Sequence, residues 1–202
     1  METITELLEV LPNASITITR GHLNPYELTA KEFLSFAVED SKMDTIHGKV
    51  NALSNAKRAI DCRIEELLYC YCLHKKSHHD KWDIPTKLQI LKRIGILAPQ
   101  ILRKINKLRN RLEHQFEKPS FEKVEDAIDI VQLFIEATEN PCWAIMELHT
   151  GKVSEPDCVI KIQRDKHFIE LQKGSRKKTL EIGTQDDWIT IAKLLVAKRK
   201  EW

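Results

Sequence analysis

The stretch Asp44–Lys75, DTIHGKVNALSNAKRAIDCRIEELLYCYCLHK, decides the fold class. Ile46, Val50, Leu53, Lys57, Ile60, Ile64, Leu67 and Tyr71 recur at alternating spacings of three and four, with no proline and one early glycine. This predicts one amphipathic helix of about 30 residues. Its near-heptad seam suits packing along a bundle or across a dimer, and Lys57 interrupts it. The polar run HKKSHHDKWDIP ends it.

Downstream, Pro85 and Thr86 open a short helix with Leu88, Leu91 and Ile94 inward, stopped by Gly95. Pro99 opens another to about Gln115, with Ile101, Leu102, Ile105, Leu108 and Leu112 as its apolar stripe. Pro119-Ser120 supplies a break and an N-cap for a helix from Phe121 to about Thr138, lined by Val124, Ala127, Ile128, Val131, Leu133, Phe134 and Ile135. Residues 44–140 therefore read as a helical bundle. Upstream, residues 1–41 read as two short helices, Glu2–Val10 and Thr29–Asp40, around an extended piece at Ser15–Arg20. Thr29 and Glu32 form a capping-box pattern, and Phe33, Phe36 and Ala37 are expected inward.

After Asn140-Pro141 the texture changes. Val159–Gln163 and Phe168–Leu171 flank a turn at Arg164-Asp165-Lys166, and Lys178–Ile182 follows a second turn at Gly174-Ser175. This is a three-strand meander. A last helix over Gln185–Lys198 brings Trp188, Ile189, Ala192, Leu194, Leu195 and Val196 against it. The expected chain is mainly α, with a small C-terminal α+β appendage over 150–202, and no internal repeat is visible.

Composition removes several function classes. With 42% hydrophobic residues the chain can bury a core, and no run nears the roughly 18 apolar residues of a membrane helix. METITELLEVL carries acids and no early Lys or Arg, unlike a secretory signal or transit peptide, so the expected address is cytoplasmic. Five cysteines, an odd count, fit a reducing compartment better than a disulfide scaffold. A net charge of +2 means that any polyanion site is local. No Walker-type, G-x-G-x-x-G or G-x-S-x-G pattern occurs, which disfavours ATP hydrolysis and dinucleotide chemistry.

The chemistry-bearing stretch is Leu108–Phe116, LRNRLEHQF. Asn110 and His114 are four apart and share a helical face, and Arg109 reaches the same cleft on its long stem. A guanidinium can hold a phosphate bidentately, an amide can donate to a nonbridging oxygen, and an imidazole titrates near neutral pH. RNA supplies its own 2′-hydroxyl nucleophile. His114 could serve as base on that hydroxyl or acid toward the 5′-oxygen, with Arg109 stabilising the transition state and no metal or cofactor required. The products would be a 2′,3′-cyclic phosphate and a 5′-hydroxyl. One chain offers one such histidine, and a symmetric dimer would supply the second. From Lys81 to His114, nine Lys/Arg face two acids, and Arg103, Lys104, Lys107 and Arg111 of that run are candidate RNA contacts. From Glu117 to Glu139, seven acids face two lysines. Plain surface pairing of a basic with an acidic helix is the bland alternative, and the helix dipole alone favours Arg and His near a C-terminus.

This arrangement resembles the HEPN family (higher eukaryotes and prokaryotes nucleotide-binding domain), helical bundles with an R-x4–6-H motif whose residue after the Arg is often Asn, Asp or His. The matching positions are Arg109, Asn110 and His114, and the resemblance covers residues 42–145, following a helical and extended N-terminal segment, 1–41. It implies a HEPN-like bundle acting as a metal-independent endoribonuclease in a toxin–antitoxin, abortive-infection or antiphage setting. It also implies a homodimer with the motif lining the dimer cleft, and an antitoxin or defence-system partner. Other members have lost catalysis and only bind nucleotides or RNA, so a non-catalytic binding module is the alternative, and a purely structural helical dimer the third. In a subset with R-x4-H-x-Y the Tyr is modified by an antitoxin; Phe116 stands there in this chain, which disfavours that route.

Two further clusters draw attention. Cys70, His74 and His78 would share one face if the helix persisted, but their spacing matches no known finger, and a frayed helix end with small buried cysteines is the simpler reading. Lys173, Arg176, Lys177 and Lys178 could touch RNA phosphates, with a solvated turn as the simpler role.

Overall fold

The structure is a computed structural model, and it describes residues 7, 9, 13–22, 25–71, 73–96, 107, 110, 119–139, 143–152, 155–163, 168–181 and 185–199. Its described helices are α1 (Ala30–Ser41), α2 (Ile46–Cys70), α3 (His74–His79), α4 (Ile84–Arg93), α5 (Phe121–Ala137) and α6 (Gln185–Arg199). Its strands are β1 (Ser15–His22), β2 (Trp143–Lys152), β3 (Glu155–Gln163), β4 (Phe168–Lys173) and β5 (Arg176–Glu181). The chain is mainly helical, with an antiparallel sheet and a C-terminal helix.

Local signals set most of the ends. The Thr29 side chain accepts from the Glu32 N–H while Glu32 accepts from the Thr29 N–H, a complete capping box at α1. Donation from the Thr29 N–H and from the Thr29 hydroxyl holds the Glu32 carboxyl below its usual range. Thr45, Asp83 and Ser120 cap α2, α4 and α5 by accepting from Gly48, Thr86 and Lys123 N–H groups. Past α4, Gly95 takes φ +86°, its N–H donates to Lys92 O, and Ile96 N–H donates to Leu91 O. This is a Schellman closure with glycine where a side chain would be strained.

The expected long helix is shorter. Its α-helical run stops at Cys70, Tyr71 caps it, and Leu73 N–H closes back on Leu68 O before α3 begins. The burial pattern corrects the seam as well. In the second half of α2, Ile60, Ile64, Leu67 and Tyr71 are buried as expected, but at the start Ile46 is 54% and Val50 46% exposed. Gly48, Ala52, Ala56 and Ala59 are buried there instead. A Cβ on Gly48 would lie 2.6 Å from Met43 Cβ and 2.8 Å from Asp40 O. α1 and α2 are joined by only a short turn and approach closely, so small residues occupy the contact and the large seam residues are displaced outward. The same displacement leaves Phe36 39% exposed, its ring edge-on to half-buried Phe33, while Ala37 is buried. On α5, Val124, Ala127, Ile128, Val131, Phe134 and Ile135 are buried against α1 and α2, but Leu133 is 65% exposed because it falls on the opposite face.

The meander expected after residue 159 is present as β3, β4 and β5, the second half of a five-stranded sheet ordered β1-β2-β3-β4-β5. β2 pairs with β3, with Leu148 opposite Ile160, and on its other edge with β1, with Ile16 opposite Leu148. The sheet therefore starts before residue 150, and its first strand comes from the N-terminal segment. A strand with an open edge gains a full ladder of hydrogen bonds by recruiting an extended segment from anywhere in the chain. Ile160, Ile169, Leu171 and Leu180 are buried in one cluster with Trp188, Ile189, Ala192 and Val196 of α6, and α6 also touches α4. Leu194 is half-buried, and Leu195 lies outside the residues whose side chains are described. Of the expected first helix, Leu7 and Glu9 are helical and the rest lies outside the described residues.

Candidate functional site

The segment between α4 and α5 carries the sequence-derived site. Lys107 and Asn110 are both helical and exposed, and three residues apart they are neighbours on one face. They put an ammonium and an amide side by side on the surface, donors that suit an anionic ligand. Arg109, His114, Arg111, Lys104 and Arg103 lie outside the described residues, as does most of the helix expected from Pro99 to Gln115.

The basic run leading into this segment is divided by the fold. Lys87 is paired with Glu65 of α2, and Arg93 Nη2 lies 2.8 Å from Asp186 Oδ1 of α6. Lys81, Lys92 and Lys107 are exposed, with no carboxylate at ion-pair distance among the described residues. On the acidic side, Glu139 meets Lys31 Nζ at 2.8 Å and Arg63 Nη2 at 3.4 Å. The described pairs thus join α4 to α2 and α6, rather than a basic helix to the acidic α5.

A separate polar cluster, which the periodicity of α2 conceals, joins α2 to α1 and to the end of α5. Arg63 and Glu66 are each 1% exposed. Arg63 Nη1 donates to Glu66 Oε2 at 2.8 Å, Nε to Thr138 Oγ1 at 2.9 Å and Nη2 to Ile135 O at 3.1 Å. Glu66 Oε1 accepts from Ala30 N–H at 2.9 Å. One guanidinium thus ties α2 to the C-terminal end of α5, and one carboxylate ties it to the first turn of α1. The sequence carried no distinct signal for it, because Arg63 and Glu66 stand among the further acids Asp61 and Glu65 and read as a solvated charged stretch of the helix. Burial and charge also push nearby groups upward. Cys62 rises to about 12, through burial first and then the Glu66 carboxylate, which its thiol approaches at 3.6 Å. Tyr26 rises to about 12, through burial and then Glu65. A thiol so held stays protonated and is a poor nucleophile.

Metal ligation is not assembled from the other expected cluster. The break after Cys70 ends the continuous face on which Cys70, His74 and His78 would align. His74 packs its ring on Tyr69 at a centroid distance of 4.9 Å, and His78 Nε2 sits 3.5 Å from Glu65 Oε2. Among the described residues no group of three His, Cys, Asp or Glu side chains is placed to hold a metal ion. Also among them, no helix is long and apolar enough to cross a membrane.

No protein-family model matches the chain, and no curated protein and no solved structure matches it.

Proposed function

We propose that this chain is a HEPN-like, metal-independent endoribonuclease acting as a homodimer in a cytoplasmic toxin–antitoxin or antiphage setting. The observation that carries the reading is the Arg109, Asn110, His114 spacing, together with exposure of Lys107 and Asn110 on one helical face in the same segment. In the proposed reaction the 2′-oxygen attacks the adjacent phosphorus as an imidazole takes its proton. The bond from phosphorus to the 5′-oxygen breaks, and a second imidazole, from the other copy, protonates the leaving oxygen. Arg109 offsets the charge growing on the nonbridging oxygens, and Asn110 holds the phosphate or sugar in line. Lys107, Arg103, Lys104 and Arg111 hold flanking phosphates, and Glu113 orients a neighbouring side chain.

The test is incubation of the purified protein with a mixed tRNA and mRNA pool in EDTA, beside a His114→Ala control, with the new ends mapped. Fragments ending in 2′,3′-cyclic phosphate with wild type alone are expected. Identical patterns from the two proteins would replace the nuclease with the non-catalytic binding module.

A further inference from the structure

The sequence run Lys173, Arg176, Lys177, Lys178 is sorted by the pleat of the β4–β5 hairpin into two unequal sets. Register places Leu171 opposite Lys178, Gln172 opposite Lys177 and Lys173 opposite Arg176. Side chains alternate along each strand, so the face on which Leu171 and Leu180 are buried also carries Lys173, Arg176 and Lys178. Lys177 falls on the other face, where its Nζ lies 3.4 Å from Glu170 Oε1. Lys173, Arg176 and Lys178 are all exposed and have no carboxylate partner among the described residues.

Two of these cations stand directly across the ladder from one another. The turn between them has only two residues, Gly174 at φ +58° and Ser175, with Gln172 Nε2 donating to Gly174 O at 3.2 Å. Flanking pairs of this kind have Cα atoms roughly 5.5 Å apart. Like charges directly opposite destabilise a strand pair, and the ladder holds the two Cα atoms together, so only rotation of the side chains can separate the charges. Lys178 lies two residues beyond Arg176 on the same strand, roughly 6–7 Å along it. The result is a triangle of three cations on backbone positions fixed by the register, none with a carboxylate partner among the described residues, in a chain whose net charge is only +2.

We propose that this hairpin face is a docking surface for the phosphodiester backbone of single-stranded RNA, outside the Arg109–His114 segment. The proposal deepens the endoribonuclease reading and rests on it for the choice of RNA. Successive phosphates of one strand present anions at a spacing that the triangle can meet, and each relieves repulsion already built into the hairpin. Arg176 can grip a phosphate through its fork while the two ammonium groups act as point charges. None of the three positions is aromatic, so the surface grips backbone and leaves sequence choice to the cleaving segment.

The test uses the full chain and a labelled 20-nucleotide 2′-O-methyl RNA, which cannot be cleaved through its 2′-oxygen, in an anisotropy titration at several salt concentrations. The variant Lys173→Gln/Arg176→Gln/Lys178→Gln should bind at least tenfold more weakly than wild type. The slope of log affinity against log salt should shrink by about 2, since each phosphate contact on a single strand contributes about 0.7. Lys177→Gln should stay within twofold of wild type, and the triple variant should melt no lower, because it removes repulsion. Equal binding by wild type and the triple variant, an equal loss with Lys177→Gln, or binding of polyglutamate in place of RNA would each overturn the proposal. Cleavage is read separately on ordinary RNA. A wild type that binds through the triangle but cuts nothing sinks the nuclease reading alone; one that cuts in a His114-dependent way but binds independently of the triangle sinks the docking surface alone.

Discussion

Arg63 and Glu66, one helical turn apart on α2, form a buried ion pair whose second carboxylate oxygen holds the first backbone N–H of α1. The pair is therefore a joint between three helices. Removing one partner of such a pair strands a charge in the interior at a cost of about 3–5 kcal/mol. Arg63→Met should lower stability by that order, whereas Glu66→Gln should cost less because Glu139 remains 3.4 Å from Arg63 to meet its charge and the amide oxygen still accepts from Ala30. Urea denaturation of the two variants decides it, and equal losses would argue against the joint.

Gly48 sits where α2 passes closest to the turn from α1. Its virtual Cβ meets backbone oxygens of Asp40 and Met43 at 2.8 and 2.9 Å, atoms that cannot swing aside. Gly48→Ala should therefore destabilise by about 1–3 kcal/mol, despite the better helix propensity of alanine. A melting temperature at or above that of wild type would contradict the close approach.

Lys81 is the opposite case. It follows α3 at φ +52°, with its N–H on His78 O and Trp82 N–H on Ser77 O, the same closure that Gly95 makes after α4. A lysine in the left-handed region costs about 1–2 kcal/mol. Lys81→Gly should raise stability by about 0.5 kcal/mol after the chain-entropy cost of glycine, a gain of about 1–2 °C, while Lys81→Ala should give none. Calorimetry of the pair separates backbone strain from loss of the charge.

Alkaline conditions should weaken the fold. Cys62 and Tyr26 are raised from ordinary values of 9.0 and 10.0 to about 12, so between those limits the folded chain holds protons that the unfolded chain has released. Their contribution is complete below about pH 9 and is lost as pH rises toward 12. Denaturation midpoints should fall across that window, and Cys62→Ala should flatten the decline; an unchanged slope would show that the thiol is not the source. On the acid side, Glu32 and Asp83 are lowered by their capping bonds, so the starts of α1 and α4 should loosen as pH falls through the carboxylate range.

If the chain cleaves RNA, Arg109→Ala and His114→Ala should each reduce kcat by about 10²–10⁴, with Asn110→Ala milder, since it removes positioning rather than proton transfer or charge stabilisation. Initial rates on a single RNA at saturating concentration measure this. Equal, small effects from all three would favour a binding role.

Much of the local structure was legible. The capping box at Thr29 and Glu32, Ser120 before α5 and the glycine stops at Gly95 and Gly174 act over a few residues, so the sequence displays them whole. For the candidate site, Lys107 and Asn110 stand helical and exposed as the 3.6-residue period requires. The buried polar joint was not legible, because Arg63 and Glu66 read like any solvated helix pair until Thr138 and Ala30 are brought to them.

By itself the sequence determined where α1, α4 and α5 begin, that α4 stops at Gly95 and that a meander follows residue 159, since caps, periodicity and turn residues are short-range. Only the tertiary structure decided which face of α2 is buried, because that depends on how closely α1 approaches, and Gly48 with three alanines outcompetes Ile46 and Val50 there. Only it joined residues 15–22 to residues 143–152, since strand recruitment carries no local signature. And only strand register separated Lys177 from Lys173, Arg176 and Lys178, because a shift of one residue would exchange their faces.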